Sequence, residues 1–431
     1  MKWIREGSFS LATLPSGLHL LVHPTAKFKS TVVRVLFHHP LGADATRNAL
    51  LPFVLKRGTR RHPDTASLTH RLDDLYGASF DVDILKVGER QLIDFRLHLL
   101  GDRYAPRGAR LLEKGFRFLR EVLREPLREN AGFSREFCRT EKRHLRRLIE
   151  SRINEKARYA AERLVEEMCR DEPYGIHELG DPAHLRGITN RSLFRHWERW
   201  IESAPVEVYV VGDVDRDRLA DTVSRSLVHS RDERRSPAEL PAAVRRRPRR
   251  VRNVEEVRDV LQGKLAIGYR TALEADDPGI PALQLANAIL GGGTYSKLFR
   301  FFREGASLAY YAYSSLERVK GLLTIHAGID PRDFRKGMRI IRKQVADLRR
   351  GQISDFEVDS ARQYVLHRLR AMEDSAASLV RTTLVSRVSG HPRSVRQSMA
   401  RYRRVTRDEI VEAARSLSLD TVYFLRAPGR R

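Results

Sequence analysis

Hydrophobic positions along the chain fall into two recognisable periods. LHLLVHP and STVVRVLF near the start alternate and are rich in branched residues, as half-buried strands require. The NALLPFVLKRG segment predicts a helix, and TASLTHRLDDLYG predicts another that ends on Gly77. Two further strands are expected at SFDVDILKV and RQLIDFRLHLL, followed by long helical stretches over about 103–124 and 134–170. ITNRSLFRHWERWI and then VEVYVVGD close the first half as helix and strand.

The second half repeats this order. LQGKLAIGYR predicts a strand and IPALQLANAILGGG a helix that ends on glycines. SLAYYAYSSL and GLLTIHAGI predict strands. Phe334, Met338, Ile341, Val345 and Leu348 make one apolar helix face by their spacing of four and three. Ser354 with Glu357, and Thr406 with Glu409, have the spacing of capping boxes, and the final helix leads into the strand TVYFLR. The expected fold class is α+β, with two similar domains that are each a mixed sheet covered by helices on one face.

Between the halves, residues 229–253 (HSRDERRSPAELPAAVRRRPRRVRN) are charged, contain three prolines and lack apolar periodicity. They read as a linker, placing one domain at 1–228 and the other at 254–431. A chain of 431 residues fits that division. The start has no apolar stretch with a small-residue cleavage site, and no uncharged apolar run approaches membrane-spanning length. Cys138 and Cys169 are too few for a disulfide framework. A cytoplasmic protein without a membrane partner is expected. The formal charge of +25 raises a nucleic-acid or ribosome-associated binder as a rival. Its arginines are spread over nearly every helix, however, and the dense run Arg245–Arg252 carries no aromatic for base stacking.

Several strings resemble the pitrilysin/insulinase peptidase family across nearly the whole chain. They are LPSGLHLLVHP, LKRGT, YGASFDV and PYGIHELGDPAHLRGIT in the first half, with ALQLANAILGGGTYSKLF and FREGASLAYYAYSS in the second. Active members carry H-x-x-E-H on the first helix, where two imidazoles hold zinc and the carboxylate activates water. Anchored on Gly58-Thr59, those positions are Ala49, Pro52 and Phe53, none of which can ligate a metal or move a proton. Neither H-x-x-E-H nor H-E-x-x-H occurs anywhere in the chain. Glu141 lies near the family's third ligand, and without two histidines it is expected to be a surface carboxylate. No metal site or catalytic residue is therefore expected in this chain.

What the resemblance retains lies in the second half. Arg303 and Tyr310 match a family pair that holds substrate in the transition state, where guanidinium and phenol donate to a developing oxyanion. Ser307 stands where the family usually has Gly. Gly291, Gly292 and Gly293 match a glycine segment that contacts substrate in processing-peptidase subunits. Their plain reading is a helix end followed by a turn of positive φ; the phosphate-loop pattern is not met. The resemblance implies a non-catalytic subunit that binds peptide and pairs with a sister chain holding zinc on H-x-x-E-H; for the isolated chain a homodimer stays open. LPFVLKRGT, DDLYGA and NEKARYAAERLVEEM resemble a zinc-less bacterial branch linked to 5-aminopentanol modification of elongation factor P. A scaffold module of the same fold without proteolysis is the other rival. His19 and His23, four apart in a strand, are too far apart for one metal, and they and His38 and His39 at a strand end are expected in surface or packing roles. The two cysteines lack the partners of a thiol protease.

Overall fold

The computed structural model describes residues 2–228, 245 and 247–428. The first half runs β1 (Ile4–Glu6), β2 (Phe9–Thr13), β3 (His19–Pro24), β4 (Ser30–Pro40), α1 (Ala45–Leu55), α2 (Thr65–Asp73), β5 (Ser79–Val87), β6 (Arg90–Leu100), α3 (Leu111–Arg124), β7 (Arg128–Glu129), β8 (Gly132–Phe133), α4 (Arg135–Glu150), α5 (Lys156–Met168), α6 (Asn190–Ser203), β9 (Val206–Gly212) and α7 (Arg216–Leu227). The second runs β10 (Arg252–Val257), β11 (Gly263–Arg270), α8 (Ile280–Gly291), β12 (Ala309–Glu317), β13 (Leu322–Ile329), α9 (Phe334–Arg349), α10 (Asp355–Met372), α11 (Ala376–Val388), α12 (Val395–Arg404), α13 (Arg407–Arg415) and β14 (Ser418–Arg426).

The repeat seen in the sequence is a repeat of topology. One sheet has the order β1-β2-β3-β9-β4-β6-β5 and the other β10-β14-β11-β13-β12. Once the β1-β2 extension is removed, both follow first-fifth-second-fourth-third. In each, the first and fifth strands pair in parallel and the remaining neighbours antiparallel, so both sheets are mixed.

Two compact units emerge from the contacts: Met1–Glu150, Ile176–Pro241 and Ser375–Leu384 in one, Ser151–Gly175, Ala242–Asp374 and Val385–Arg431 in the other. Each unit thus includes a segment from the opposite half of the chain. Of the expected linker, residues 229–244 and 246 lie outside the described residues. Arg252 and Asn253 already belong to β10, pairing with Thr421 and Val422.

In the first unit, alternate strand residues such as Val33, Val35, Phe37, Phe95, Leu97, Val208 and Val210 form one buried face with α1, α3 and α6. The opposite face carries buried charge: Arg34 Nε donates to both oxygens of Asp94 at 3.0 and 3.1 Å, and Glu207 accepts from the Tyr209 hydroxyl at 2.7 Å. The second sheet departs from the one-face expectation. Its Leu265, Ile267, Val422 and Phe424 face α8, α9 and α13, while Ala266, Tyr423 and Leu425 pack with Ala160, Leu164 and Met168 of α5 on the other side. Gly268 permits this, since a Cβ there would stand 2.1 Å from Met168 Sδ.

The two expected capping boxes form, with Ser354 Oγ accepting from Glu357 N and Thr406 Oγ1 from Glu409 N. The expected helix over 103–124 begins only at Leu111, where Asp102 Oδ1 accepts from its N–H at 2.6 Å. The stretch 134–170 is divided by a tight turn at Ser151–Asn154.

Candidate functional site

Helix α1 carries the positions that the resemblance aligns with the family's zinc motif, and their side chains do not fit a metal. Ala49 is completely enclosed in the first unit's core, and Pro52 is buried within the helix, lacking an N–H for the i−4 carbonyl. Phe53 turns its ring edge-on to His144, with centroids 5.2 Å apart. Buried polar contacts fix the helix: Asn48 donates to Gln91 Oε1 at 3.0 Å, Gln91 donates to Ala45 O at 2.8 Å, and His196 Nε2 lies 2.7 Å from Asn48 Oδ1. Burial lowers the His196 pKa to about 4, so the imidazole is neutral.

Phe53 and Glu141 border one cavity of about 610 Å³, together with Lys56, Arg57, Asp81, His144 and others. Glu141 is buried, which corrects the surface carboxylate expected there once the two histidines are missing; its position on α4 packs it against the end of α1. Its side chain projects from α4 toward α1, where Arg57 Nε lies 3.5 Å from its Oε1, an ion contact too long and misaligned for a hydrogen bond. Burial pushes the carboxyl pKa up, against His144 and Arg57, which pull it down. The Arg57 guanidinium thus supplies positive charge to this buried carboxylate. Sequence reasoning missed Arg57, which lies in the turn just after α1 and carried no periodic signal of its own. Among the described residues, no group of three or more His, Cys, Asp or Glu is placed to hold a metal. His39 stacks on Trp200, and burial, with His196 and His38 adding to it, holds its pKa down at about 3. Both cysteines are buried, and burial raises their thiols to about 12 at Cys138 and about 11 at Cys169, leaving them protonated and unreactive.

In the second unit, Arg303 lies in the π-helical segment Leu298–Glu304, with its guanidinium 4.9 Å from the Phe299 ring centroid. That segment packs on β12, which carries Tyr310. Between Ala309 and Ala312, β12 advances three residues against two of β13 (Ile329 to Ala327), which is a β-bulge containing Tyr310 and Tyr311. Such bulges re-aim side chains. Tyr310 is 80% exposed, on the edge strand of its sheet. Ser307 adopts φ +49°, a left-handed conformation that glycine takes more readily. Gly291–Gly293 correct the turn expectation, since none has positive φ; Gly292 caps α8 at φ −80°. Gly291 is instead a close-approach residue, where a Cβ would lie 2.3 Å from Ser314 N on β12.

This is a two-unit α+β chain whose metal helix is filled with apolar side chains while its second-unit tyrosine stays exposed, and it belongs to the pitrilysin/insulinase, or M16, peptidase family. Residues 187–365 match the family model described as the peptidase M16 inactive domain. The full chain is similar to the "probable inactive metalloprotease YmfF" of Bacillus subtilis (strain 168), with 34% identity over 427 residues and 99% of each chain covered. A conserved protein from Enterococcus faecalis V583 has a similar structure, with TM-score 0.89, 27% identity, and 99% of this chain and 100% of that one covered. An uncharacterized zinc protease of Streptomyces coelicolor is 27% identical over 257 residues, 58% of this chain and 56% of its own.

Proposed function

We propose that this chain is the non-catalytic, peptide-binding half of a two-chain M16 metallopeptidase. A sister chain carries zinc on an intact H-x-x-E-H motif, and this chain lends Arg303 and Tyr310 to the partner's transition state. The supporting observation is the contrast between α1, filled by Ala49, Pro52 and Phe53, and Tyr310, displayed in a bulge at 80% exposure. A phenol held in water has little value to folding and much to a ligand. The free, buried cysteines accord with a reducing, cytoplasmic setting. No helix among the described residues is long and apolar enough to cross a membrane. Resemblance to the zinc-less bacterial branch supplies processing linked to elongation factor P modification as the biological context.

The test is peptidase activity of a zinc-bearing sister chain, with and without this one. Arg303→Ala and Tyr310→Phe should each lower assisted turnover by roughly 10²-fold with the partner's zinc content unchanged. If no combination cleaves peptide, the chain is a scaffold of the same fold. Stoichiometric zinc with cleavage by this chain alone would overturn the reading.

A further inference from the structure

Helix α4 presents Arg135, Arg139, Arg143 and Arg147 at successive intervals of four residues, all four exposed. Successive residues so spaced are neighbours on the helix surface, about 6 Å apart along its axis and turned by about 40° from one to the next. Like charges in that arrangement repel, each pair destabilising a helix by a few tenths of a kcal/mol. A merely solvated face relieves the repulsion with interleaved acids. Here Arg135 approaches Glu129 only to 3.9 Å, and Arg139, Arg143 and Arg147 make no ion pair among the described residues.

Two cavities flank the stripe. One, of about 380 Å³, has Arg135, Arg139, Arg143 and Arg146 around an apolar floor of Cys138 and Ile188. The other is the cleft beside Phe53, which Arg143 and Arg147 also line. Arg143 borders both, so the stripe joins them. Lys142 is already engaged, donating to Ile188 O at 2.8 Å. The nearby carboxylates are likewise engaged: Glu141 faces Arg57, and Asp81 is paired with Lys56.

We propose that the arginine stripe of α4 and its two cavities bind an acidic peptide in extended conformation, carboxylates on alternate residues meeting successive guanidinium groups. This inference rests on the peptide-binding reading above and names the substrate chemistry. Alternate side chains of an extended strand are about 6.6–6.8 Å apart, close to the rise of one four-residue step on the helix. Guanidinium forks take carboxylates through paired hydrogen bonds. Single-stranded nucleic acid is disfavoured because its bases need exposed aromatic faces. Apart from His144, the only aromatic lining either cavity is Phe53, and the two rings are packed against each other.

Fluorescence anisotropy with the full chain tests this, using a labelled peptide of alternating glutamate and serine, its glutamine counterpart, and a single-stranded oligonucleotide of equal charge. The glutamate peptide should bind at least tenfold more tightly than the glutamine peptide. Arg139→Glu with Arg143→Glu should abolish that preference, and Arg139→Gln with Arg143→Gln should reduce it without lowering the melting temperature, since it also relieves the repulsion along the stripe. Arg218→Glu with Arg225→Glu on α7, an equal change of charge in exposed residues, should leave it intact. Equal affinity for both peptides, indifference to the α4 changes, or tighter oligonucleotide binding through the same arginines would each overturn the proposal. The measurement needs no sister chain. Loss of assisted cleavage with charge-selective binding intact therefore removes the partnership alone.

Discussion

Arg57 Nε stands 3.5 Å from Glu141 Oε1 in the cleft of the first unit, so this buried carboxylate faces a guanidinium from the turn that follows α1. The contact is loose, and Arg57 is 39% exposed, so its attraction is modest. The burial of Glu141 is the larger influence on its ionisation.

Glu141→Gln should therefore stabilise the chain at neutral pH. A raised folded-state pKa penalises the ionised form in the folded chain. That penalty is absent below the unfolded value of about 4.3 and develops as pH rises through the folded one. The urea midpoint should rise at pH 7, by a stability gain of up to about 1 kcal/mol, and stay unchanged below pH 4. A lower midpoint at pH 7 would show that the chain needs the carboxylate.

Arg270→Met should destabilise the second unit by about 3–5 kcal/mol, because it strands buried acids. Arg270 is fully buried, donating to Asp420 at 2.7 Å, to Glu172 at 2.6 Å and to Met168 O at 2.7 Å. Burial pushes the Glu172 carboxyl up, but bonds from Lys320 and Arg270 outweigh it and hold the pKa below its usual value. Its contribution is present above the unfolded pKa and is lost as pH falls through the lower folded value. Hydrogen exchange of α5 amides should report both effects.

Gly291→Ala should destabilise the chain by about 1–3 kcal/mol through overpacking against the β12 backbone. Gly293→Ala meets only the Tyr295 ring, at 3.0 Å, and should be nearly neutral. Thermal unfolding of the two variants separates this packing role from a substrate role. Equal and small effects would exclude it.

Ser307→Gly should raise stability by up to about 1 kcal/mol by relieving the left-handed backbone, whereas Ser307→Val should lower it by about 1–2 kcal/mol. Urea denaturation of the pair checks the sign. A stabilising valine would mean that the loop relaxes to negative φ.

Legibility in the sequence varied with the origin of each feature. SFDVDILKV and RQLIDFRLHLL match β5 and β6 end to end, because alternation and a tight connection are local signals. The absence of H-x-x-E-H was readable because the motif residues are themselves the chemistry. Strand β10, RNVEEV, went unseen. Every second residue is exposed, and parallel pairing with β14 holds it in place. The burial of Glu141 and the side of the sheet chosen by α5 depend on partners far along the chain, beyond the reach of any local window.

The place of α5 also sets a schedule for synthesis. Ala160, Leu164 and Met168 leave the ribosome long before Tyr423 and Leu425, the strand residues that cover them. At about 5–20 residues per second, that apolar face waits on the order of tens of seconds for its sheet. A nascent chain of this kind is a natural client for chaperones, and any truncation ahead of β14 leaves α5 with only the β11 and β13 part of its cover, around Ala266 and Leu322.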